Sequence, residues 1–146
     1  MKVAYFDSSA LLSVLLQEAK AETAANLWNQ YTRRVSSILL NAECSTGLRR
    51  YFARSGLDPK KGWLEERAEF LSGALATVQI APVDGRILDI LKERSELSDC
   101  RTLDALHLAT ALHFSAKSDE GLVVVSLDER MRRTAKKLKL EVLPVL

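Results

Sequence analysis

The run LVVVSLD at residues 122–128 is the stretch that most directly indicates the fold. Its first four residues are apolar and mostly β-branched, which is typical of a parallel-sheet strand buried on both faces. The apolar residues 3–6 near the start of the chain have the same character and are followed by Asp7. The two runs therefore predict two strands of one sheet, each with an aspartate at or just beyond its carboxyl end.

Helical patterns alternate with strand patterns along the rest of the chain. Helices are predicted within residues 10–16 and 20–31, and a largely apolar one over residues 102–114 is typical of a buried helix. Further strands are predicted at residues 34–39, 77–83 and 142–143. Helix starts are predicted at the cap residues Asn41, Asp58 (followed by Pro59), Asp84 and Thr102. The alternation predicts a three-layer αβα domain over residues 1–146, of the α/β class, with a mostly parallel five-stranded sheet.

Composition sets the broad class. With 146 residues, 47% apolar and 27% charged, the chain is expected to be a folded, water-soluble domain with one core. A net charge of +2 excludes a strongly basic nucleic-acid binder. Cys44 and Cys100 have no metal-ligand spacing, which favours a reducing cytoplasm. Asp7 interrupts the leading apolar run, so neither export nor membrane spanning is predicted.

Four acidic residues are candidates for chemistry. In open α/β sheets the ligand crevice lies beyond the carboxyl ends of the strands, where Asp7 and Asp128 are expected. Glu43 and Asp104 are predicted in the first turns of two helices. All four also fit helix capping, because carboxylates at helix N-termini accept orphan backbone N–H bonds. Both interpretations stay open from the residues alone.

The surroundings of Asp104 favour a functional interpretation. It lies in the apolar segment TLDALHLATA at residues 102–111, where an unpaired carboxylate is costly. Several acids in one crevice repel one another, so a stable cluster requires a cation. An oxygen-only ligand set favours Mg²⁺ or Mn²⁺ over zinc. His107, three residues after Asp104, is interpreted as a satisfied core histidine rather than a ligand.

Separate motifs carry a resemblance to a known family. They are YFDSSAL at residues 5–11, NAE at 41–43, TLDALHLATA at 102–111 and VSLDER at 125–130. Together they resemble the PIN-domain ribonucleases, and most closely the VapC-type toxins of toxin–antitoxin pairs. The family commonly has Thr where Ser126 stands, and the hydroxyl is retained.

The resemblance implies a Mg²⁺- or Mn²⁺-dependent endoribonuclease with a PIN-like fold. The implied catalytic tetrad is Asp7, Glu43, Asp104 and Asp128, with Asp7, Asp104 and Asp128 as metal ligands and Glu43 holding or activating water. Ser8 and Ser126 are candidates for hydrogen bonds to a carboxylate or to a substrate phosphate, with turn or cap roles equally open. The implied partners are an RNA substrate, a second copy of the chain, and a VapB-like antitoxin whose tail covers the acidic site, often with an Arg or Lys.

Two basic clusters are candidates for holding RNA. One comprises Arg49, Arg50 and Arg54, and the other lies within residues 130–139, where six of ten residues are basic. Solvated helix faces explain either cluster equally well. Trp63, Phe70 and Leu71 recur at helical spacing and are interpreted as core, with a groove for another protein as the alternative.

Alternative functions fit the residues less well than a nuclease does. A phosphoacceptor signalling domain also uses acids at strand ends, but it requires paired acids after the first strand and a Lys after the last, where this chain has Ser8, Ser9 and Pro144. A haloacid-dehalogenase-type phosphatase requires a second aspartate at the position of Ser9. A non-catalytic RNA-binding PIN domain remains an alternative despite the intact acids.

Overall fold

A computed structural model describes residues 2–146; Met1, which the predicted domain includes, lies outside the described residues. Parallel strands and helices alternate along the described chain. Short 3₁₀ turns lie at Pro59–Lys61 and Ser95–Asp99. The main elements are β1 (Val3–Phe6), α1 (Ser8–Leu15), α2 (Ala21–Gln30), β2 (Arg34–Ser37), α3 (Leu39–Ser55), α4 (Trp63–Leu75), β3 (Val78–Ala81), α5 (Gly85–Glu93), α6 (Thr102–Ala116), β4 (Leu122–Val125), α7 (Glu129–Lys137) and β5 (Glu141–Leu143).

The sheet has the order β3-β2-β1-β4-β5, and its strands are all parallel over residues 2–146. This confirms the predicted α/β class and strand number. The chain winds outward from β1 to β3, then crosses to β4 on the other side of β1, so the strand order reverses between β1 and β4. Phe6 pairs with Val125 in that register. Ligand crevices form at such reversal points, which here are followed by Asp7 and Ser126.

Two layers of helices cover the sheet. Alternate residues of β1 point to opposite faces, and Val3 and Tyr5 belong to a core shared with α5, α6 and α7. Ala4 and Phe6 belong to a second core, shared with α1 and α2. A third cluster joins α1, α3 and α4 beside this face. The arrangement confirms the predicted three layers, with α3 and α4 extending one of them.

Gly47 permits the close approach of α1 and α3. A Cβ atom added to Gly47 would lie 2.9 Å from a methyl carbon of Leu12, closer than carbon atoms approach without displacement. The glycine therefore sets the spacing between these helices, which matters for the surface described below.

Two predicted helix caps were wrong, that of α3 by three residues and that of α6 by one. Helix α3 begins at Leu39, before Asn41, because the Ser37 hydroxyl accepts a hydrogen bond from the Leu39 N–H at 3.2 Å. Glu43 consequently lies beyond the first turn of α3. Thr102 is the first residue of α6, and Arg101 occupies the cap position.

The segment after Asp58 is not one helix as predicted. Asp58 accepts a bond from the Lys60 N–H at 2.9 Å and caps only a short 3₁₀ turn. Gly62 then adopts φ 72°, a left-handed conformation that favours glycine and interrupts the helix. Of the residues predicted as core on α4, Leu71 is buried, but Phe70 is 55% exposed.

Cys44 and Cys100 are both free thiols, and Cys44 is buried. Among residues 2–146 there is no helix with the length and apolar character needed to cross a bilayer.

Candidate active site

An acidic pocket of about 340 Å³ lies at the carboxyl ends of β1 and β4. The four acids predicted as a tetrad line it together. Of the two predicted serines, Ser8 lines the pocket, and Ser126 is buried behind Asp7. The residues that line the acidic pocket are Asp7, Ser8, Ser9, Glu43, Arg101, Thr102, Leu103, Asp104 and Asp128.

Asp7 is the most firmly held of the four acids. It is 2% exposed and caps α1, because its Oδ1 accepts a bond from the Ala10 N–H at 3.1 Å. The same oxygen accepts the Ser9 hydroxyl at 2.6 Å, and Oδ2 accepts the Ser126 hydroxyl at 2.5 Å. Asp7 therefore caps α1 and lines the pocket at the same time. Its capping role does not rule out a role in chemistry.

Burial raises the pKa of Asp7 above its ordinary value, because a desolvated carboxylate is less stable when charged. The hydrogen bonds from Ser126, Ser9 and the Ala10 N–H oppose this rise, as does the nearby His107. The carboxylate is thus costly to bury and is compensated by donors fixed in the fold.

Ser9 is a site residue that sequence reasoning missed. Besides bonding Asp7, its Oγ accepts a bond from the Leu127 N–H at 2.9 Å. It therefore ties the turn after β1 to the turn after β4. Ser126 completes this link, since its Oγ also accepts the Asp128 N–H at 3.1 Å. The one signal in the sequence was a second hydroxyl beside Ser8 in a turn that follows a strand.

His107 connects Glu43 to the core. It is 1% exposed, as expected of a satisfied core histidine. However, its Nε2 bonds Glu43 Oε1, and its Nδ1 bonds the Tyr5 hydroxyl at 2.6 Å. Burial raises the pKa of Tyr5 well above its ordinary value, so this hydroxyl stays protonated. The Glu43 carboxylate can only accept, so Nε2 of His107 donates to it, whereas the Tyr5 hydroxyl can donate to Nδ1 or accept from it.

Asp104 and Asp128 line the other side of the pocket. Asp128 caps α7, with Oδ1 accepting the Met131 N–H at 3.0 Å. Asp104 makes no hydrogen bond or ion pair with any side chain of residues 2–146. Burial raises the pKa of Asp104, and repulsion from Asp128 and Glu43 adds to the rise. Arg101 lies nearby and opposes it.

The donor chemistry of the pocket fits a hydrated hard cation. Its candidate ligands are carboxylate oxygens, and the repulsion acting on Asp104 is of the kind that a bound cation relieves. Over residues 2–146 no three His, Cys, Asp or Glu side chains are spaced to hold an ion directly. Mg²⁺ usually keeps several waters and takes one or two carboxylates. The residues therefore suit Mg²⁺ or Mn²⁺ held largely through water, and they do not suit tetrahedral zinc.

Comparison with known proteins defines the class. Residues 4–137 match the PIN domain family, and the chain belongs to that family. Over 143 residues, covering 98% of each sequence, it is 34% identical to Ribonuclease VapC46 of Mycobacterium tuberculosis (strain ATCC 25618 / H37Rv).

Solved structures share the fold at lower identity. A toxin-antitoxin complex from Klebsiella pneumoniae contains a chain that is 21% identical, with 86% of each chain covered and a TM-score of 0.58. A chain in the structure of FitAB bound to an IR36 DNA fragment is also 21% identical, with 96% of this chain and 93% of the other covered and a TM-score of 0.68. These likenesses confirm the PIN-like architecture.

Proposed function

We propose that this chain is a Mg²⁺- or Mn²⁺-dependent endoribonuclease and the toxin of a VapBC-type pair. The observation that carries the proposal is the meeting of Asp7, Glu43, Asp104 and Asp128 in one pocket at the strand reversal. The similarity to Ribonuclease VapC46 along almost the whole chain supports RNA as the substrate. The single nuclease domain is proposed to comprise residues 1–146.

In this proposal Asp7, Asp104 and Asp128 hold the cation, one or two of them directly and the rest through bound water. A bound Mg²⁺ or Mn²⁺ supplies a water of lowered pKa and neutralises charge that develops on the phosphate oxygens. The protein's own part is orientation. Ser9 and Ser126 fix both oxygens of Asp7, which leaves Asp7 little freedom to rotate. Hydrogen bonds that orient metal ligands commonly govern metal affinity.

Glu43 is proposed to hold and deprotonate the attacking water. His107 occupies its Oε1, and Oε2 accepts no hydrogen bond from residues 2–146. This second oxygen is therefore free to take a proton. Arg101 lines the same pocket and supplies guanidinium donors suited to the scissile phosphate. Ser8, whose hydroxyl has no partner within the described chain, is proposed as a further contact to the substrate.

RNA cleavage by purified variants tests the proposal. Asp7→Asn and Asp104→Asn are expected to abolish cleavage in Mn²⁺ while circular dichroism shows a folded protein. Asp89→Asn, on the exposed part of α5, is the matched control and retains full activity. EDTA is expected to abolish the wild-type activity. If the Asp104→Asn protein cleaves RNA as fast as the wild type, the site is assigned wrongly.

Metal binding has a readout that needs no substrate. At a Mn²⁺ concentration about 100 times the dissociation constant, a bound ion stabilises the native protein by about 2.7 kcal/mol. We expect Mn²⁺ to raise the Tm of the wild type and of Asp89→Asn, but not of Asp104→Asn. Equal shifts in all three proteins would place the ion elsewhere.

A VapB-like antitoxin and a second copy of the chain are the proposed partners, in a cytoplasmic setting. The likeness to chains of toxin-antitoxin structures supports a protein partner. So does Phe70, which is 55% exposed at the edge of an apolar cavity that Phe6, Val14 and Trp28 also line. Co-expression with the adjacent reading frame tests this. Phe70→Ser is expected to weaken co-purification without changing RNA cleavage, and light scattering measures the oligomeric state.

A wild-type protein that binds RNA but never cleaves it, with any divalent metal, would favour the non-catalytic PIN domain. The intact carboxylates and their orienting bonds oppose that alternative.

A further inference from the structure

A second cavity continues from the acidic pocket. It measures about 780 Å³ and lies between α1 and α3. Ser9 and Asp128 line both cavities, so the two spaces adjoin at those residues. This cavity is named the α1–α3 groove here. A polymer whose reacting phosphodiester lies at the acidic pocket has the groove as a direct path for its flanking part.

One face of helix α3 runs from the acidic pocket into the α1–α3 groove. Glu43, Gly47, Arg50 and Arg54 are spaced by three or four residues, which places them along one side of the helix. At a rise of 1.5 Å per residue, Arg50 lies about 10 Å and Arg54 about 16 Å along the axis from Glu43. Gly47 lies between them and lines the groove without a side chain that would block it.

The groove carries cations that the fold does not use. Lys20, Arg50 and Arg54 line it, are exposed, and make no hydrogen bond or ion pair with residues 2–146. Glu18 and Asp128 are the acidic residues on its wall. Free guanidinium and ammonium groups beside an acidic pocket are suited to phosphates that the pocket itself would repel.

The basic helix α7 differs from this groove. Arg132 is 6% exposed and donates to the carbonyl oxygens of Ser126 at 2.8 Å and Pro144 at 2.6 Å. Lys137 lies 3.4 Å from Asp99. No basic residue of α7 lines either cavity. Part of its charge therefore serves the fold, and the rest lines neither cavity.

Tyr51 adds an aromatic surface to the groove. It is 44% exposed, and its ring stacks on Trp63 with centroids 5.4 Å apart. A ring that is supported on one side and exposed to solvent offers a platform on which a base can stack. Positive charge alternating with an exposed aromatic ring is the combination found in single-strand binding sites.

We infer that the α1–α3 groove binds the single-stranded RNA flanking the cleaved bond, with phosphates on Lys20, Arg50 and Arg54 and a base on Tyr51. The inference rests on the proposed nuclease function, because it takes the acidic pocket as the place of cleavage. It also selects between the two basic clusters, in favour of the one on α3. Arg49 of that cluster lines a different cavity, with Asn41 and Leu75, and takes no part.

Binding of a fluorescein-labelled single-stranded oligoribonucleotide in EDTA tests the groove. With a slope of about 0.7 per phosphate contact, losing two contacts reduces affinity roughly 25-fold at 0.1 M salt and lowers the salt slope by about 1.4. We expect at least this from Arg50→Glu combined with Arg54→Glu. Arg49→Glu changes the residue next to Arg50 on α3 and is expected to leave the RNA affinity and the salt slope almost unchanged. If the double reversal does not fold, Arg50→Gln with Arg54→Gln replaces it.

Tyr51 is tested by a matched pair of substitutions. Tyr51→Ala removes the ring and is expected to weaken RNA binding by about fivefold to a hundredfold. Tyr51→Phe keeps the ring and retains the affinity. Equal losses in both variants would mean that the hydroxyl, and not stacking, matters, and this part of the inference would fall.

Hydrolysis of bis(p-nitrophenyl) phosphate separates the groove from the nuclease proposal. This small phosphodiester reaches the pocket without using the groove, so the Arg50/Arg54 variants hydrolyse it at the wild-type rate while their KM for RNA rises. If the wild type cleaves neither substrate, the nuclease proposal is refuted. If the charge reversal still weakens RNA binding in that case, the inference about the groove is retained.

Three results would overturn the groove itself. One is unchanged RNA affinity in the double reversal. Another is a loss of affinity on Arg130→Glu combined with Arg133→Glu in α7. The third is a loss of antitoxin binding without any loss of RNA binding, which would make the groove a protein interface.

Discussion

Asp7 and Asp104 line the same pocket but are held in opposite ways. Asp7 is buried, caps a helix and accepts bonds from Ser9, Ser126 and the Ala10 N–H. Asp104 is partly exposed on an apolar helix and has no such donors within residues 2–146. Burial raises the pKa of both, but only for Asp104 does repulsion from Asp128 and Glu43 add to the rise.

The difference is that the Asp7 carboxylate is an acceptor for donors of the fold, whereas the Asp104 carboxylate is not. Removing Asp7 would deprive the buried Ser126 hydroxyl, the half-buried Ser9 hydroxyl and a helix end of their acceptor. Removing Asp104 would relieve a repulsion and leave no donor unsatisfied. A residue that destabilises its surroundings and still persists in a pocket points to a role in function.

The largest expected effects come from Asp7→Ala and Asp104→Ala. Each is expected to reduce RNA cleavage by about a thousandfold, the scale of losing a preorganised electrostatic group. Their stabilities should diverge. Asp7→Ala loses a cap and leaves the buried Ser126 hydroxyl and the half-buried Ser9 hydroxyl without their acceptor, at a cost of about 3 kcal/mol. Asp104→Ala changes the free energy of unfolding by less than about 0.5 kcal/mol. Urea titration and single-turnover cleavage measure the two quantities.

The contrast fails if both alanine variants lose the same stability. In that event Asp104 would have a structural partner when folded in solution, and its functional assignment would weaken. Asp89→Ala is the control for both measurements, because Asp89 is exposed and lies outside the pocket.

His107, like Asp7, is held in place by hydrogen bonds within the fold. Replacing it with Leu removes the donor to Glu43 and leaves the Tyr5 hydroxyl without its ring partner. We expect kcat to fall about 10- to 100-fold, as is usual when an orienting partner is lost. KM for RNA should change little, because the groove is untouched.

Partial rescue distinguishes orientation from packing. His107→Gln retains a donor near Glu43 and should recover part of kcat, whereas Tyr5→Phe should produce a smaller loss because it acts one bond further away. If Leu and Gln variants are equally slow and equally destabilised, His107 serves packing alone.

The sequence predicted the fold better than the contacts inside the site. Apolar runs identified β1 and β4 with the bounds that the structure has, because burial on both faces leaves a continuous local pattern. The carboxylates were found by their place after strands and by resemblance. Ser9 and His107 were missed as site residues, since their bonds to Leu127 and Glu43 join residues 118 and 64 positions apart.

Errors at helix ends had local causes. The start of α3 depends on a bond from the Leu39 N–H to Ser37, a residue predicted to belong to the preceding strand. The break before α4 depends on the left-handed backbone of Gly62. A glycine in a polar stretch fits both a helix and a turn, and only packing decides between them.

Ser8 and Ser9 are adjacent in sequence, but only the Ser9 hydroxyl has hydrogen-bond partners within the described chain. The pair therefore compares a contact that stabilises the fold with a contact proposed to bind substrate. Ser9→Ala removes a donor to Asp7 and the acceptor of the Leu127 N–H. We expect a loss of about 2 kcal/mol in stability and about tenfold in kcat. Ser8→Ala removes a hydroxyl with no partner in the described chain, so stability stays within about 0.5 kcal/mol. Any effect of Ser8→Ala should appear in kcat/KM for RNA. Equal destabilisation by both would contradict this assignment.

The smallest effect concerns the pH dependence of stability in EDTA. The pKa of Asp7 rises above its ordinary 3.8 on folding, so between these two values the native state binds more protons than the unfolded state. Stability therefore falls as pH rises through that window, and the loss is complete above the folded pKa. Asp7→Asn removes this loss, and Ser126 keeps a partner because its hydroxyl can also accept a hydrogen bond.

At neutral pH we expect Asp7→Asn to be more stable than the wild type by about 1 kcal/mol, or about 3 °C in Tm. The advantage should vanish as pH falls below the ordinary carboxyl pKa, where both states of the wild type are protonated. Thermal melts across that range measure it, with Asp89→Asn as the pH-independent reference. A variant that is less stable than the wild type at neutral pH would mean that the donors around Asp7 outweigh its desolvation. The buried aspartate would then be a net stabiliser of the fold, and its persistence would need no catalytic explanation.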